Sequence, residues 1–188
     1  MGTPTPELYR CFGWGRSAAP HEPGGALYLP RDHQGAGRHD NPELYGALYL
    51  SESPVGAVAE QLARFRGIRE LEERHLRRFG RPLALASFAL DGAALVDLDD
   101  PKVLQRRRLR PSEVATRERS TTQRQAAEIF SLTDEPAGLR WWSTLESSWL
   151  NATLFDRGLT QLELIGVRAM RLGDEAVQSA AEFLGFRA

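Results

Sequence analysis

The sequence lacks the features that define several specialised protein classes. It contains one cysteine, Cys11, so neither an internal disulfide nor a paired-cysteine metal site can form. No stretch reaches the roughly 18 apolar residues of a membrane-spanning helix, and the N-terminus lacks the basic and then apolar layout of a signal peptide. We therefore expect a cytoplasmic protein that does not enter a membrane.

Lysine is almost absent, because Lys102 is the only lysine among the 24 basic residues and all the others are arginines. The basic residues are balanced by 25 acidic residues, and the net charge of -1 does not favour a general attraction to nucleic acid or to a membrane. Such an arginine bias is typical of GC-rich bacterial genomes. A single arginine is therefore weak evidence of a functional site in this chain.

The common local motifs of enzymes are also missing. The four histidines, at positions 21, 33, 39 and 75, include no pair at the spacing of metal ligands on a helix. Neither a glycine-rich nucleotide loop nor the GxSxG motif of serine hydrolases occurs. We expect no metal site and no local signature of a serine hydrolase.

The chain has the composition of an ordinary globular protein. Its 188 residues, 41% of them hydrophobic, predict a single domain over 1–188. Ser53 and Pro54 predict the start of a helix in which Glu60 points away from the apolar face. The expected helices cover about 53–66, 68–79, 121–130 and 174–183, and the expected strands cover 83–90, 94–98, 149–155 and 161–167.

The remaining segments complete this expectation. We expect short strands and loops over the first 46 residues, a hairpin turn at Asp91-Gly92, and an irregular basic stretch from Lys102 to Arg119. Helices and strands are mixed without a regular βαβ rhythm. The pattern therefore favours an α+β fold, a mixed β-sheet flanked by helices.

An ordered series of short segments carries the candidate chemistry. It comprises Tyr9-Arg10, Gly37-Arg38-His39-Asp40-Asn41-Pro42, Leu48-Tyr49-Leu50, Ala57-Val58-Ala59-Glu60, Arg119-Ser120-Thr121-Thr122-Gln123 and Gly138-Leu139-Arg140-Trp141-Trp142-Ser143. Eleven residues separate Arg38 from Tyr49, and eleven more separate Tyr49 from Glu60. From about residue 8 to residue 156, this series resembles the RES domain family, which is named for an arginine, a glutamate and a serine.

The resemblance implies a fold similar to that of ADP-ribosyltransferases, which a C-terminal strand and helix over 159–188 would complete. It implies an enzyme that consumes NAD as a substrate, by hydrolysis or by phosphorolysis with phosphate as co-substrate, and that needs no cofactor. The implied role is the toxin of a bacterial toxin–antitoxin pair. Its partner would be an Xre-type antitoxin, and nucleic acid would be contacted only through that partner.

Each residue type in the series suits a part of NAD. Arg10 and Arg38 are candidates for the diphosphate, because a guanidinium can donate two hydrogen bonds to one phosphate. Tyr49 is expected to stack on the nicotinamide ring, and Glu60 is expected to stabilise the positive charge that develops at the ribose. Ser120 would donate a hydrogen bond to the substrate. Ser143 is the other candidate for the family serine and for contact with NAD.

The sequence leaves several alternatives open. Arg38 can instead close a loop by bonding carbonyls, Tyr49 can be a half-buried strand residue, and Ser120 can be a helix N-cap. His39 stands where the family usually has an aromatic residue. The same NAD pocket could transfer ADP-ribose to a protein, and a homodimer is also open. From another functional class, the arginines over 106–124 could form a nucleic-acid-binding module without enzymatic activity.

Overall fold

A computed structural model describes residues 7–90 and 95–187, which form a mostly antiparallel sheet of eight strands together with several helices. The strands are β1 (Glu7–Gly13), β2 (Ala47–Ser51), β3 (Arg77–Arg78), β4 (Arg81–Leu90), β5 (Leu95–Asp97), β6 (Gly138–Trp142), β7 (Leu150–Phe155) and β8 (Leu162–Ala169). The helices are α1 (Pro54–Leu62), α2 (Pro101–Arg107), α3 (Pro111–Val114), α4 (Arg119–Phe130) and α5 (Glu175–Leu184). This mixture confirms the expected α+β class.

The strand order is β3-β4-β1-β2-β7-β6-β5, and β8 also pairs with β4. Strands β1 and β4 are antiparallel, with Tyr9 opposite Ser87. Strands β6 and β7 are antiparallel as well, with Trp141 opposite Asn151. Strand β5 runs parallel to β6. The chain divides into two compact units, and whether they fold as the single domain expected from the length stays a prediction.

The first unit comprises residues 7–28, 51–89 and 164–187 of the described chain. In this unit α1 packs against β1 and α5. The helix begins as expected, because the Ser53 hydroxyl accepts a hydrogen bond from the Gly56 amide and Pro54 occupies the first turn. Its apolar face is buried, whereas Glu60 is exposed, as its position off that face predicts.

The second unit comprises residues 29–50, 90 and 95–163 of the described chain. Its core is a cluster of apolar side chains from β2, β6, β7, the helices α2 to α4 and the segments just before β2 and just after β5. The buried members are Tyr45, Ala47, Leu98, Leu104, Val114, Ala126, Ile129, Leu139, Trp141 and Phe155. The helix expected over 121–130 is confirmed as α4, which contacts β6 within this unit.

Two of the expected elements are wrong. The helix expected over 68–79 is replaced by a 3-10 turn at Glu73–Leu76 and by β3. Only Leu71 and Leu76 are buried there, five positions apart, so no apolar helix face exists and the predicted ion pairs could add only tenths of a kcal/mol each. The irregular stretch expected over 102–119 instead contains α2 and α3, each with a proline in its first turn.

The expected hairpin after β4 is also wrong. The turn at Asp91-Gly92 lies outside the described residues, but β5 pairs in parallel with β6, whereas β4 pairs with β1, β3 and β8. Strand β6 itself was not expected as a strand. Among the described residues, every helix is too short or too polar to span a bilayer.

Candidate active site

Arg38 lies in the second unit and is almost fully buried, with 5% of its surface exposed. Its Nη1 donates to the carbonyl oxygens of Val114 at 3.0 Å and Thr116 at 2.7 Å. Its guanidinium carbon lies 4.9 Å from the centre of the Trp141 ring. Arg38 therefore holds the end of α3 in place, as the loop-closing alternative predicts. A contact with the diphosphate of NAD would have to come from its other donors.

Tyr49 is held through its hydroxyl group. This hydroxyl donates to Asp40 Oδ1 at 2.6 Å and accepts from the backbone N–H of His39 at 2.9 Å. Burial, together with the nearby Asp40 carboxylate, raises the pKa of Tyr49 above its ordinary value. The hydroxyl is thus protonated and already bonded, so what Tyr49 can offer a ligand is its half-buried ring.

The Asp40 carboxylate organises the turn that carries Arg38 and His39. Its Oδ2 accepts hydrogen bonds from the backbone N–H groups of Gly35 at 2.8 Å and Gly37 at 2.6 Å. A Cβ at Gly37 would lie 2.5 Å from one carboxylate oxygen and 2.6 Å from the Tyr49 hydroxyl. Only glycine fits at this position without displacing one of them. We name the segment 35–41 the Asp40 turn.

Helix α4 fixes the Asp40 turn from another side. The Thr122 hydroxyl donates to the Arg38 carbonyl at 2.5 Å, and Gln123 Nε2 donates to the carbonyls of Gly35 and Gly37. The side chain of Asn41 donates in return to the Gln123 carbonyl at 2.9 Å. The predicted Thr-Gln segment therefore positions the turn through residues that the sequence did not assign.

His39 lies under the ring of Tyr49 and is 2% exposed. Its Nδ1 lies 2.8 Å from the Thr153 hydroxyl, and its ring meets the edge of Trp141 at a centroid distance of 5.1 Å. The Tyr49 ring is nearly parallel to it, with the centroids 6.3 Å apart. Burial, assisted by the positive charges of Arg38 and Arg119, holds the pKa of His39 well below its usual range.

The two candidate serines have different surroundings. Ser120 is exposed on the first turn of α4, where its hydroxyl donates to Glu118 at 3.0 Å. The N-cap of α4 is Glu118, so Ser120 is not the cap. Ser143 is buried just after β6, where its hydroxyl accepts from the Leu145 amide at 3.1 Å. The predicted contact of either serine with NAD stays a prediction.

Arg10 and Glu60 belong to the first unit. Arg10 donates to the carbonyl oxygens of Ala26 at 2.6 Å and Tyr28 at 3.1 Å, and burial, with a smaller contribution from Arg78, lowers its pKa to about 10. This side chain therefore secures the loop that precedes Leu29. The predicted roles of Arg10 at the diphosphate of NAD and of Glu60 at the ribose stay predictions.

The described residues contain no group of three or more histidine, cysteine, aspartate or glutamate side chains that could hold a metal ion. In the second unit the candidate site combines the Arg38 guanidinium, aromatic rings and hydroxyl groups around a turn held by the Asp40 carboxylate. Such a set suits a ligand with anionic and flat aromatic parts.

Comparison with known proteins decides the family. The family model described as RES domain matches residues 7–172. The chain belongs to the RES domain family. This RES domain also resembles a chain in the crystal structure of the M. tuberculosis MbcT–MbcA toxin–antitoxin complex, with a TM-score of 0.60 and 17% identity over 94% of this chain and 86% of that chain. That likeness shows the fold. No match is found among curated proteins.

Within this RES domain the resemblance gave roles to Arg38 and Tyr49. It included Asp40, Thr122 and Gln123 in its segments without a role for them, and it did not include Thr153. The contact of Thr153 with His39 spans 114 positions, and no local pattern signals it.

Proposed function

We propose that this RES domain cleaves the bond between nicotinamide and ribose in NAD and acts as the toxin of a bacterial toxin–antitoxin pair. The family match over residues 7–172 carries the proposal, since it includes every candidate site residue. The similarity to a chain of a toxin–antitoxin complex supports the toxin role. An antitoxin that binds this chain is part of the proposal.

The arrangement in the second unit supports NAD as the substrate. Arg38 supplies a buried positive charge, and Tyr49 supplies a ring whose hydroxyl is fixed by Asp40. The ring of Tyr49 would stack on nicotinamide, and the guanidinium of Arg38 would meet the diphosphate. Both contacts are made in the ground state, so they would contribute mainly to NAD binding.

In the proposed reaction the C1–N bond to nicotinamide breaks and neutral nicotinamide leaves with the bonding electrons. The Glu60 carboxylate would stabilise the oxocarbenium character of the ribose. Water attacking C1 gives ADP-ribose and releases a proton to solvent, whereas phosphate gives phosphorylated ADP-ribose. Ser120 or Ser143 would orient a substrate hydroxyl.

The test is to incubate the purified protein with NAD, with and without phosphate, and to identify the products by mass spectrometry. Nicotinamide and ADP-ribose in both reactions would identify hydrolysis, whereas nicotinamide and phosphorylated ADP-ribose formed only with phosphate would identify phosphorolysis. Labelled NAD added together with host-cell protein tests transfer, because label on a protein band would indicate an ADP-ribosyltransferase. A folded protein that leaves NAD intact under all three conditions would contradict the proposal.

The toxin role has a separate test in cells. We expect expression of this chain to stop growth and to lower cellular NAD, and co-expression of the neighbouring gene to restore both. Expression of the folded protein with normal growth and normal NAD would contradict the toxin role, even if a slow activity on NAD is found in vitro.

A further inference from the structure

The hydrogen bonds of the Thr153 hydroxyl determine which ring nitrogen of His39 carries a proton. The hydroxyl is fully buried, with 0% of Thr153 exposed. It accepts a hydrogen bond from Trp141 Nε1, at 3.1 Å, because the indole nitrogen can only donate. Its other partner is His39 Nδ1 at 2.8 Å. A buried hydroxyl proton without an acceptor is costly, so Thr153 donates to Nδ1.

This assignment makes His39 a neutral imidazole with its proton on Nε2. A nitrogen that accepts a hydrogen bond carries no proton, and a neutral ring then carries its proton on the other nitrogen. A second cation here would face Arg38 on the same turn and Arg119 on α4, and the Asp40 carboxylate on that turn is already engaged by three donors. The Tyr49 and Trp141 rings keep the imidazole plane in place.

The Nε2–H has no acceptor among the described residues, since the bonds of the His39 side chain end at Thr153. Yet no fully buried side-chain nitrogen or oxygen in the described residues lacks a partner. Nε2 therefore keeps a small solvent-accessible surface, although only 2% of the residue is exposed. A fixed N–H without an acceptor among the described residues suits a ligand-binding role.

We propose that the Nε2–H of neutral His39 donates a hydrogen bond to an acceptor oxygen of the substrate. The inference rests on the proposed function, in which the substrate is NAD. The acceptor is the carbonyl oxygen of the nicotinamide carboxamide or a phosphate oxygen, since both can accept a hydrogen bond from an N–H group. His39 is thus a binding residue of the site, in the position where the family usually has an aromatic side chain.

Two substitutions separate this role from packing. His39→Gln can place its amide N–H near the position of Nε2, whereas His39→Asn is too short to reach it. We expect His39→Asn to raise KM for NAD about tenfold with a smaller change in kcat, and His39→Gln to remain within a few-fold of the wild type. Competition by nicotinamide and by ADP-ribose identifies the acceptor, because only the competitor that carries it should bind more weakly to His39→Asn.

The tautomer is tested without NAD. We expect 15N spectra of the histidine rings to show His39 protonated on Nε2 at neutral pH, and Thr153→Val to disturb that pattern. A proton on Nδ1 would overturn the inference, and so would a His39→Asn variant with wild-type KM. If His39→Asn does not fold, the 15N spectra of the wild type and of Thr153→Val test the tautomer instead. If the spectra show Nε2–H but the wild type neither binds nor cleaves NAD, the proposed function fails, and the donor role toward NAD fails with it.

Discussion

Glu60 is the residue at which the proposed catalytic role can be tested with the least effect on folding. It is exposed on α1, off the buried face, so replacing it with glutamine should change the free energy of unfolding by no more than about 0.5 kcal/mol. If the carboxylate stabilises the transition state, Glu60→Gln should lower kcat on the order of 100-fold while NAD binding persists.

Steady-state kinetics and thermal melts check this prediction. Glu182→Gln, an exposed change of the same kind on α5, is the matched control and should leave both kinetics and melting unchanged. Wild-type turnover by Glu60→Gln would mean that Glu60 is an ordinary surface residue.

His39 should make the fold sensitive to acid. Its pKa is lowered in the folded state, so between that value and about 6.5 the unfolded chain binds a proton that the folded chain does not. Stability is therefore full above about pH 6.5 and decreases as the pH falls, by up to roughly 1.4 kcal/mol per pH unit. Urea unfolding of the wild type and of His39→Gln at several pH values below 7 measures this loss of stability. If the free energy of unfolding depends on pH equally in the two proteins, the prediction is wrong.

Two residues that the family motif named, Arg38 and Tyr49, lie close together, because the backbone N–H of His39, the residue after Arg38, donates to the Tyr49 hydroxyl. Their contacts with NAD stay predictions. The loop-closing role of Arg38 was an open alternative, and the structure confirms it. Thr153 could not be predicted, because its contact with His39 depends on the packing of distant segments rather than on any local spacing.

At the scale of elements, the Asp40 turn is the segment least tolerant of change. Gly37→Ala would push a methyl group against the Asp40 carboxylate and the Tyr49 hydroxyl, which are bonded to each other. We expect a loss of roughly 1–3 kcal/mol of stability together with weaker NAD binding. Chemical denaturation and NAD titration measure the two effects.

The matched control for the turn is Gly166→Ala on β8, where an added Cβ would meet nothing within 4 Å. This variant should be as stable as the wild type or slightly more stable. A Gly37→Ala protein with wild-type stability and affinity would contradict this prediction, because it would show that the turn accommodates the methyl group at little cost.

The errors in predicting elements have local causes. Asp100 and Pro101 form the same kind of helix start as Ser53 and Pro54, and the Asp100 carboxylate caps α2 as the Ser53 hydroxyl caps α1. This helix start was not recognised in the sequence, because the arginines that follow it suggested an irregular basic stretch. Conversely, regularly spaced charges over 68–79 suggested a helix without an apolar face to bury.

At the scale of the whole molecule, the near balance of charge opposes a nucleic-acid-binding role. A net charge of -1 should give elution from heparin at low salt, despite the arginines over 106–124. A salt gradient on the purified protein measures this. Retention to high salt, lost when the exposed Arg106 and Arg108 are replaced by serine, would instead favour the nucleic-acid module.

The hydrogen bond between His39 and Thr153 also has a consequence for the timing of folding during translation. The ribosome makes His39 114 residues before Thr153, an interval of roughly 6–23 s at bacterial or eukaryotic rates of synthesis. Until the later residue is made, the imidazole lacks the partner that fixes its proton, and Trp141 and the α3 carbonyls held by Arg38 are also late to arrive. The Asp40 turn of a nascent chain therefore gains its last side-chain partners only near the end of translation. If the proposed toxin role holds, an antitoxin made at the same time would have that interval in which to meet an unfinished protein.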